Sequence, residues 1–346
     1  MLNSFHIENL TVFPKADFKF GKNLNVIIGE NGSGKTHLLK ALYTVVSVSA
    51  TGEKKGGLAT PTKAYLQTGI ATKLREVFKP DELGRLARRQ AGRNRCELGC
   101  AFFESDCDLS VSFNTSSKTE VGIEKAPSAW VDKLPVFLPT RELMSLYPGF
   151  VSLYELNRLP IEETWRDTCL LLGAPLAKGP REKRIRKLLE PLETTMGGTI
   201  ELEGERFYLQ SKSGRIEMNL LAEGLRKLAM LARLVATGAL LDKGTLFWDE
   251  PEANLNPKVI KLVARTILDL CAQGIQVFLA THSLFLLREL YILQQGEFSK
   301  LDVRCFGLHY GEDGASVQQG RTIEDVGDIT SLDEELMQSE RYSQIP

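Results

Sequence analysis

Hydrophobic and polar positions change period several times along the chain. Residues 1 to 28 alternate in short runs, FHIENLTVF, KADFKF and LNVIIG, which predict strands, the last stopping abruptly at a glycine-rich turn. A helix is expected from about Thr36 to Val46. Residues 47 to 63 are rich in Ser, Thr, Gly and Lys and read as an exposed loop, and 64 to 95 read as helical. Strand signals return at 98 to 124 and 134 to 138, followed over about 140 to 195 by a largely helical insertion punctuated by Pro148, Pro160, Pro175, Pro180 and Pro191. A hairpin-like pair, TIELEGERFYLQ and RIEMNL, precedes a helix on which Leu221, Leu225, Leu228, Ala232 and Val235 recur at amphipathic spacing. Gly224 falls in its first turn, where a bare backbone lets another group approach free amides. Helix and strand then alternate through GTLFWD, 257 to 272, IQVFLA, 283 to 293 and DVRCFGLHY, which predicts a parallel sheet with helices on its faces. Residues 321 to 346 carry seven acidic and two basic side chains and read as a tail helix or a disordered end.

Composition narrows the picture modestly. With 346 residues, 43% of them hydrophobic, the chain has material for one large domain or two smaller ones. Its 43 basic residues nearly balance 44 acidic ones, so any nucleic-acid binding must be local. The densest basic stretch, 73 to 95, holds eight basic and three acidic residues and includes Arg85, Arg88, Arg89, Arg93 and Arg95. It reads as a phosphate-contacting surface for DNA or RNA, as a solvated helix face paired with acids, or as a protein-docking surface. The six cysteines form no CxxC pair, which suits a reducing compartment. Cys96, Cys100 and Cys107 are candidates for metal ligands or for small buried hydrophobes. Glu8 interrupts the N-terminal apolar pattern and nowhere do eighteen apolar residues run together, so a soluble cytoplasmic protein with no membrane contact is expected.

The chemistry concentrates in three strand ends. Gly29-Glu30-Asn31-Gly32-Ser33-Gly34-Lys35-Thr36 fits the phosphate-loop pattern and stands between an apolar strand and a helix, as the mechanism requires. Its amides would wrap phosphates, Lys35 would reach the β and γ phosphates, and Thr36 would offer its hydroxyl to magnesium. The run TLFWDE supplies two carboxylates at a second strand end: Asp249 for the magnesium shell and Glu250 to polarise the attacking water. His282, in Thr281-His282-Ser283, follows the next strand and is either a γ-phosphate contact or a bystander.

Taken together, GENGSGKT, the distal LAEG, FWDEPEANLNP and LATHS resemble the ATP-binding-cassette (ABC) ATPases of the SMC-like branch. More closely, they resemble compact bacterial AAA-type ATPases related to the ATPase half of OLD-family nucleases. The resemblance implies an α/β P-loop NTPase fold, an ABC/SMC-like head with a mixed-sheet core and helical insertions. It divides the chain into a discontinuous core lobe (1–46, 96–139 and 196–320), a basic helical insertion (47–95), a helical subdomain (140–195) and an acidic tail (321–346). It further implies ATP and Mg2+ as cofactors and a homodimer or higher homo-oligomer, in which Glu223 and Gly224 of the signature segment meet the γ phosphate held by a second subunit. Pro251 to Pro257 resembles the loop that touches the opposite subunit.

Two departures from the family pattern stand out. Ala222 replaces the usual serine of the signature, which predicts a dimer whose closure is either weaker or leans more on the Gly224 amides. No glutamine follows the LPVFL strand, where Arg141 or Glu142 is either a substitute nucleotide sensor or part of a local salt bridge. Only 36 residues follow Tyr310, too few for the Toprim nuclease domain of OLD proteins, and no long heptad run provides an SMC coiled-coil arm. The resemblance therefore points to a sensor or regulatory ATPase of an anti-phage defence system that controls a separate effector, a nuclease or toxin. The alternatives are a RecF-like DNA-repair ATPase and a scaffold that binds ATP without hydrolysing it.

Overall fold

Along the chain, an antiparallel pair, β1 (Leu2–Leu10) and β2 (Phe13–Lys19), precedes β3 (Leu24–Gly29), which is buried along its whole length. Two helices follow, α1 (Lys35–Gly56) and α2 (Lys63–Phe78), then the strands β4 (Arg95–Phe102), β5 (Leu109–Asn114), β6 (Gly122–Lys125) and β7 (Val136–Leu138). The middle of the chain forms α3 (Phe150–Asn157), α4 (Glu163–Leu172) and α5 (Glu182–Met196), then β8 (Gly198–Glu203), β9 (Arg206–Ser211) and β10 (Gly214–Glu217). The last part runs α6 (Glu223–Ala236), β11 (Gly244–Asp249), α7 (Pro257–Ala272), β12 (Ile275–Thr281), α8 (Leu284–Gln294), β13 (Val303–Gly311), β14 (Gly314–Gly320) and α9 (Thr330–Ser343). The computed structural model describes residues 1–345 except 57–58, 90–94, 158, 180–181 and 242–243.

The strands form three sheets. A six-stranded sheet has the order β14-β13-β3-β12-β11-β7, parallel throughout except for the β14 edge, and a five-stranded antiparallel sheet has the order β2-β1-β4-β5-β6. A third, three-stranded sheet (β10-β9-β8) lies just before α6 in the chain. Both faces of the parallel strands are buried, and the pleat sorts their side chains between two cores. Leu24, Val26 and Ile28 of β3 join Leu246 and Trp248 of β11 and Val277 and Leu279 of β12 in one core, with α6, α7 and α8. Ile27, Phe247, Phe278 and Phe306 point the other way, into a core shared with α1, α2 and the antiparallel sheet. Phe20 of the β2–β3 link meets Phe278 edge-on, with ring centroids 4.8 Å apart, and Phe306 at 5.6 Å.

Two buried amides knit the sheets together. Gln276 of β12, fully buried, accepts from the Leu2 amide at 2.9 Å and donates to the carbonyls of Leu2 at 2.7 Å and Gly21 at 2.9 Å. Asn25 of β3 closes the Gly21 turn, accepting from the Gly21 amide at 2.8 Å and donating to its carbonyl at 3.0 Å.

The structure corrects three sequence expectations. Residues 47 to 56 are not a loop; they continue α1, whose Ser47, Val48, Ser49 and Ala50 are buried. Small side chains there suit close packing with α2, where a Cβ on Gly69 would stand 3.2 Å from Val48 Cγ1. Nor is 64 to 95 one helix. Lys79 adopts φ +53 and caps α2, and Pro80 prevents its continuation. Finally, the basic residues of 73 to 95 share no common helix face. Arg88 donates to the carbonyls of Val12 at 2.9 Å and Asp313 at 2.5 Å, Arg95 pairs with Glu97 and Glu124, and Lys73 pairs with Glu163 and Asp167. Arg93 lies outside the described residues. The three-stranded sheet extends the expected hairpin, β14 adds an unforeseen edge, and Ile329 and Leu332 bury the start of the tail helix α9.

Gln276 gives the fold a direct test. Replacing it with Ala takes the side-chain partner from the Leu2 amide and carbonyl and one of two donors from the Gly21 carbonyl, and should lower unfolding stability by about 2–4 kcal/mol, read from urea denaturation.

Candidate functional site

Parallel sheets bind ligands at the carboxyl ends of their strands. Here β3, β12 and β11 lie side by side and end, respectively, in the glycine-rich loop, in Thr281-His282 and in Asp249-Glu250. The three motifs separated in sequence are therefore neighbours in space.

The glycine-rich loop is shaped for its neighbours. Gly34 has φ +99, and a Cβ there would stand 2.6 Å from Val12 Cγ2 and 2.8 Å from the Phe13 ring. Lys35 is buried and donates to the loop carbonyls of Gly29 at 2.7 Å and Glu30 at 2.9 Å. Burial lowers its pKa, and the carboxylates of Glu250, Asp249, Glu252 and Glu30 offset that shift in part. The Ser33 hydroxyl is buried without a hydrogen-bond partner among the described residues.

Thr36 donates its hydroxyl to Asp249 Oδ2 at 2.8 Å, joining the first turn of α1 to the end of β11. The other carboxylate oxygen, Asp249 Oδ1, is buried and has no hydrogen-bond partner among the described residues. Burial raises the Asp249 pKa, the Thr36 hydrogen bond opposes this, and Glu250 adds to it. An acceptor left bare beside a hydroxyl oxygen is a donor set that a hard divalent cation completes. Among the described residues no three His, Cys, Asp or Glu side chains gather as a metal cage.

Glu250 is fixed from several sides. Its amide donates to the Ala280 carbonyl at 2.9 Å, its Oε1 lies 3.1 Å from His282 Nδ1, and its backbone takes a positive φ of +45. Such a conformation outside glycine persists only where surrounding contacts determine it. His282 thus stands beside Glu250.

Several site residues carried no sequence signal. Glu252, which lies in the loop expected to touch an opposite subunit and carries no expected role of its own, is buried and accepts from the Thr281 hydroxyl at 2.5 Å; burial raises its pKa. Lys227 of α6, also buried, donates to the carbonyls of Glu250 at 3.0 Å and Ala253 at 3.1 Å. Glu142 forms the local salt bridge weighed for it: its carboxylate lies 2.7 Å from the Arg226 guanidinium and accepts from the Met144 amide at 2.8 Å. Arg141 is exposed.

The signature segment starts α6 without a side-chain cap, since Ala222 occupies the N-cap. By contrast, Asn256 caps α7 by accepting from the Val259 amide at 3.0 Å, and Ser283 caps α8 through the Leu286 amide at 3.2 Å. An uncapped helix start offers free amides and the positive end of the helix dipole to an anion. Gly224 also serves its own chain: a Cβ there would stand 3.2 Å from Leu255 Cδ2 and 3.3 Å from the Asn254 carbonyl. Asn254 in turn donates to Glu223 Oε1 at 2.9 Å, so Glu223 is occupied within the chain.

Away from the strand ends, all six cysteines are buried, and burial pushes the thiols of Cys96 and Cys100 far above their usual range. Cys96, Cys100 and Cys107 pack into the core beside the antiparallel sheet. A cavity of about 380 Å3 between α1, α2 and α4 is lined by apolar groups and by charges already paired with one another, Lys73 with Glu163 at 2.9 Å among them. No helix among the described residues is long and apolar enough to cross a membrane.

Comparison with known proteins agrees with this layout. The family profile described as "AAA ATPase domain" matches residues 1–134, and the one described as "AAA domain, putative AbiEii toxin, Type IV TA system" matches residues 142–288. The DNA replication and repair protein RecF of Shewanella piezotolerans is 28% identical over 145 residues, 42% of this chain. The match spans only 34% of that protein's length. The SMC head domain from Thermotoga maritima superposes with a TM-score of 0.51 at 14% identity, covering 91% of this chain and 97% of that one. An SMC head bound to the C-terminal winged-helix domain of ScpA superposes at 0.54 and 13% identity, covering 93% and 98%. The fold is that of an SMC-head-like P-loop NTPase, and the matches support an ATPase of the SMC/RecF-like type.

Proposed function

We propose that this chain binds ATP with Mg2+ at the strand ends of β3, β11 and β12 and hydrolyses it at composite sites formed by two copies of the chain. The observation that carries the reading is the Thr36–Asp249 pair, with one buried carboxylate oxygen spoken for and the other bare. Gly29 to Gly34 wrap the phosphates with backbone amides and Lys35 neutralises them. Thr36 and Asp249 hold the cation, which supplies charge neutralisation on the triphosphate.

Glu250 accepts a proton from the attacking water as oxygen bonds to the γ phosphorus and the β–γ bridge breaks, releasing ADP and phosphate. His282, within hydrogen-bond reach of that carboxylate, orients it and faces the γ phosphate. The uncapped start of α6, with Glu223 and Gly224, completes the site of the second copy. In this chain Gly224 contributes backbone to that contact, whereas the Glu223 carboxylate serves the Asn254 turn. An isologous twofold pairing completes both sites at once.

Dimer closure driven by ATP is then the output, and control of a separate effector protein, a nuclease or toxin of a bacterial anti-phage system, is its use. The match of residues 142–288 to a profile named for a toxin–antitoxin system favours this role. The RecF match favours a second reading, a DNA-repair clamp. That reading predicts ATP-strengthened DNA binding that weakens steeply with salt. Among the described residues of that stretch, exposed Arg85 and Arg89 are cations it would draw on, since Arg88 and Arg95 are committed to structural partners.

Two substitutions test the chemistry. Lys35→Ala should weaken ATP binding at least about 100-fold in a fluorescent-nucleotide titration, because a buried charge-assisted contact to phosphate is lost. Unchanged affinity would remove the phosphate-loop assignment. Glu250→Gln should bind ATP normally, lose about 100-fold or more in turnover, and accumulate as an ATP-bound dimer in light scattering. If neither wild type nor this variant hydrolyses ATP and both still assemble, the chain is an ATP-dependent scaffold instead.

A further inference from the structure

Lys227 links two parts of the site that the sequence keeps apart. Its ammonium, 3% exposed, lies one helical turn beyond Gly224 and donates to the Glu250 and Ala253 carbonyls at 3.0 and 3.1 Å. The Glu250 amide is meanwhile held by Ala280 of β12 at 2.9 Å. The residue carrying the general base is therefore clamped at its amide by the central sheet and at its carbonyl by α6. Glu250 at φ +45 and Asn254 at φ +63 bracket the clamped turn. Two further contacts fasten the same pieces, Glu223 to Asn254 at 2.9 Å and Gly224 against Leu255. The start of α6 and the turn from Glu250 to Leu255 are thus fastened to each other at several points.

We infer that Lys227 is a positioning residue through which an anion arriving at the start of α6 sets the Glu250 turn of the same chain, coupling the two nucleotide sites of a dimer. The inference rests on the composite-site reading above. In that arrangement the start of α6 in one copy contacts the triphosphate held by the other, while Glu250 acts on the triphosphate held by its own copy. Lys227 spans the short distance between those two duties. Burying an ammonium is costly, and an apolar side chain of similar length would fill the space with less desolvation. What the ammonium adds is directional hold on two carbonyls. Burial brings its pKa down to about 8, against the opposing pull of the Glu252, Glu223, Glu250 and Asp249 carboxylates, three of which Lys35 also faces.

The test compares wild type, Lys227→Met and Lys227→Arg by steady-state hydrolysis against ATP concentration, fluorescent-ATP binding and thermal melting. The inference expects Lys227→Met to bind ATP within about threefold of wild type, to lose about tenfold or more in kcat, and to show a Hill coefficient reduced to one. Lys227→Arg should recover most of the kcat and the cooperativity. Wild-type kcat should fall as pH rises past about 8, where Lys227 sheds its proton, and the arginine variant should lack that limb. Non-cooperative wild-type hydrolysis, or Lys227→Met with wild-type kcat and Hill coefficient, overturns the link. So does a loss of kcat matched by an equal loss of ATP binding. If Lys227→Met melts below the assay temperature, wild type and Lys227→Arg decide alone, and an identical high-pH limb in both overturns the link. Failure of the wild type to bind ATP is a different result, since it denies the nucleotide site itself.

Discussion

Everything at the strand ends answers to one constraint: charged groups gathered out of water must be neutralised or held. Asp249, Glu250 and Glu252 face Lys35 and Lys227, three carboxylates against two ammonium groups, within a few residues of one another on adjacent strands and helices. Burial works against every buried member of the set, raising the carboxyl pKa values of Asp249 and Glu252 and lowering those of both lysines. The chain meets the cost with fixed partners. Lys35 rests on loop carbonyls, Lys227 on the Glu250 turn, Glu252 on Thr281 and one oxygen of Asp249 on Thr36. Among the described residues Asp249 Oδ1, Glu252 Oε2 and the Ser33 hydroxyl stay uncompensated, and the first and last, on the two sides of the Thr36–Asp249 hydrogen bond, mark where a ligand has most to gain.

Such a site needs a rigid frame, and the frame explains the two cores. Because the pleat sends alternate residues of β3, β11 and β12 to opposite faces, each strand end is braced from both sides. The helix that leaves the glycine-rich loop is buried around its circumference, Leu38, Leu39, Ala41, Leu42, Tyr43, Val45 and Val46 on its apolar side and Lys40, Thr44 and Ser47 on its polar one. A helix of that kind belongs inside a domain. The antiparallel sheet supplies its second wall, and Gln276 and Asn25 hold the sheets in register through hydrogen bonds worth about 1 kcal/mol each.

How much of this the sequence reveals depends on whether the signal is local. The glycine-rich loop, both carboxylates and His282 are legible because strand, turn and ligand residue are contiguous, and the strand order then brings them together. The length of α1 is not legible, because Ser47 and Ser49 look like loop residues until α2 and Val131 cover them, the Val131 amide donating to the Ser49 carbonyl at 2.9 Å. Lys79-Pro80 does announce the end of α2, so the expectation of a helix to residue 95 overlooked an available signal. Lys227, Glu252 and Gln276 have no local signature whatever. On α6, Lys227 reads as one polar residue beside an apolar stripe, and only the fold shows that its partners belong to a turn more than twenty residues away.

The unfilled cap of α6 sharpens the comparison with its neighbours. Asn256 and Ser283 close the starts of α7 and α8, each such cap being worth about 1 kcal/mol, so the chain has the chemistry for capping and uses it twice beside the site. At Ala222 it does not. The serine expected there from the family resemblance would present a hydroxyl to the first-turn amides or to an incoming phosphate; alanine presents neither. The amides of Glu223 and Gly224 must therefore find any anionic partner directly through the backbone, and Gly224 keeps the approach open on one side while Asn254 and Leu255 close it on the other. Closure that depends on backbone amides alone is weak per contact. In the proposed dimer that weakness gives the hold of Lys227 on the Glu250 turn its consequence, since a dimer that closes reluctantly is one whose catalytic turn closure itself can set.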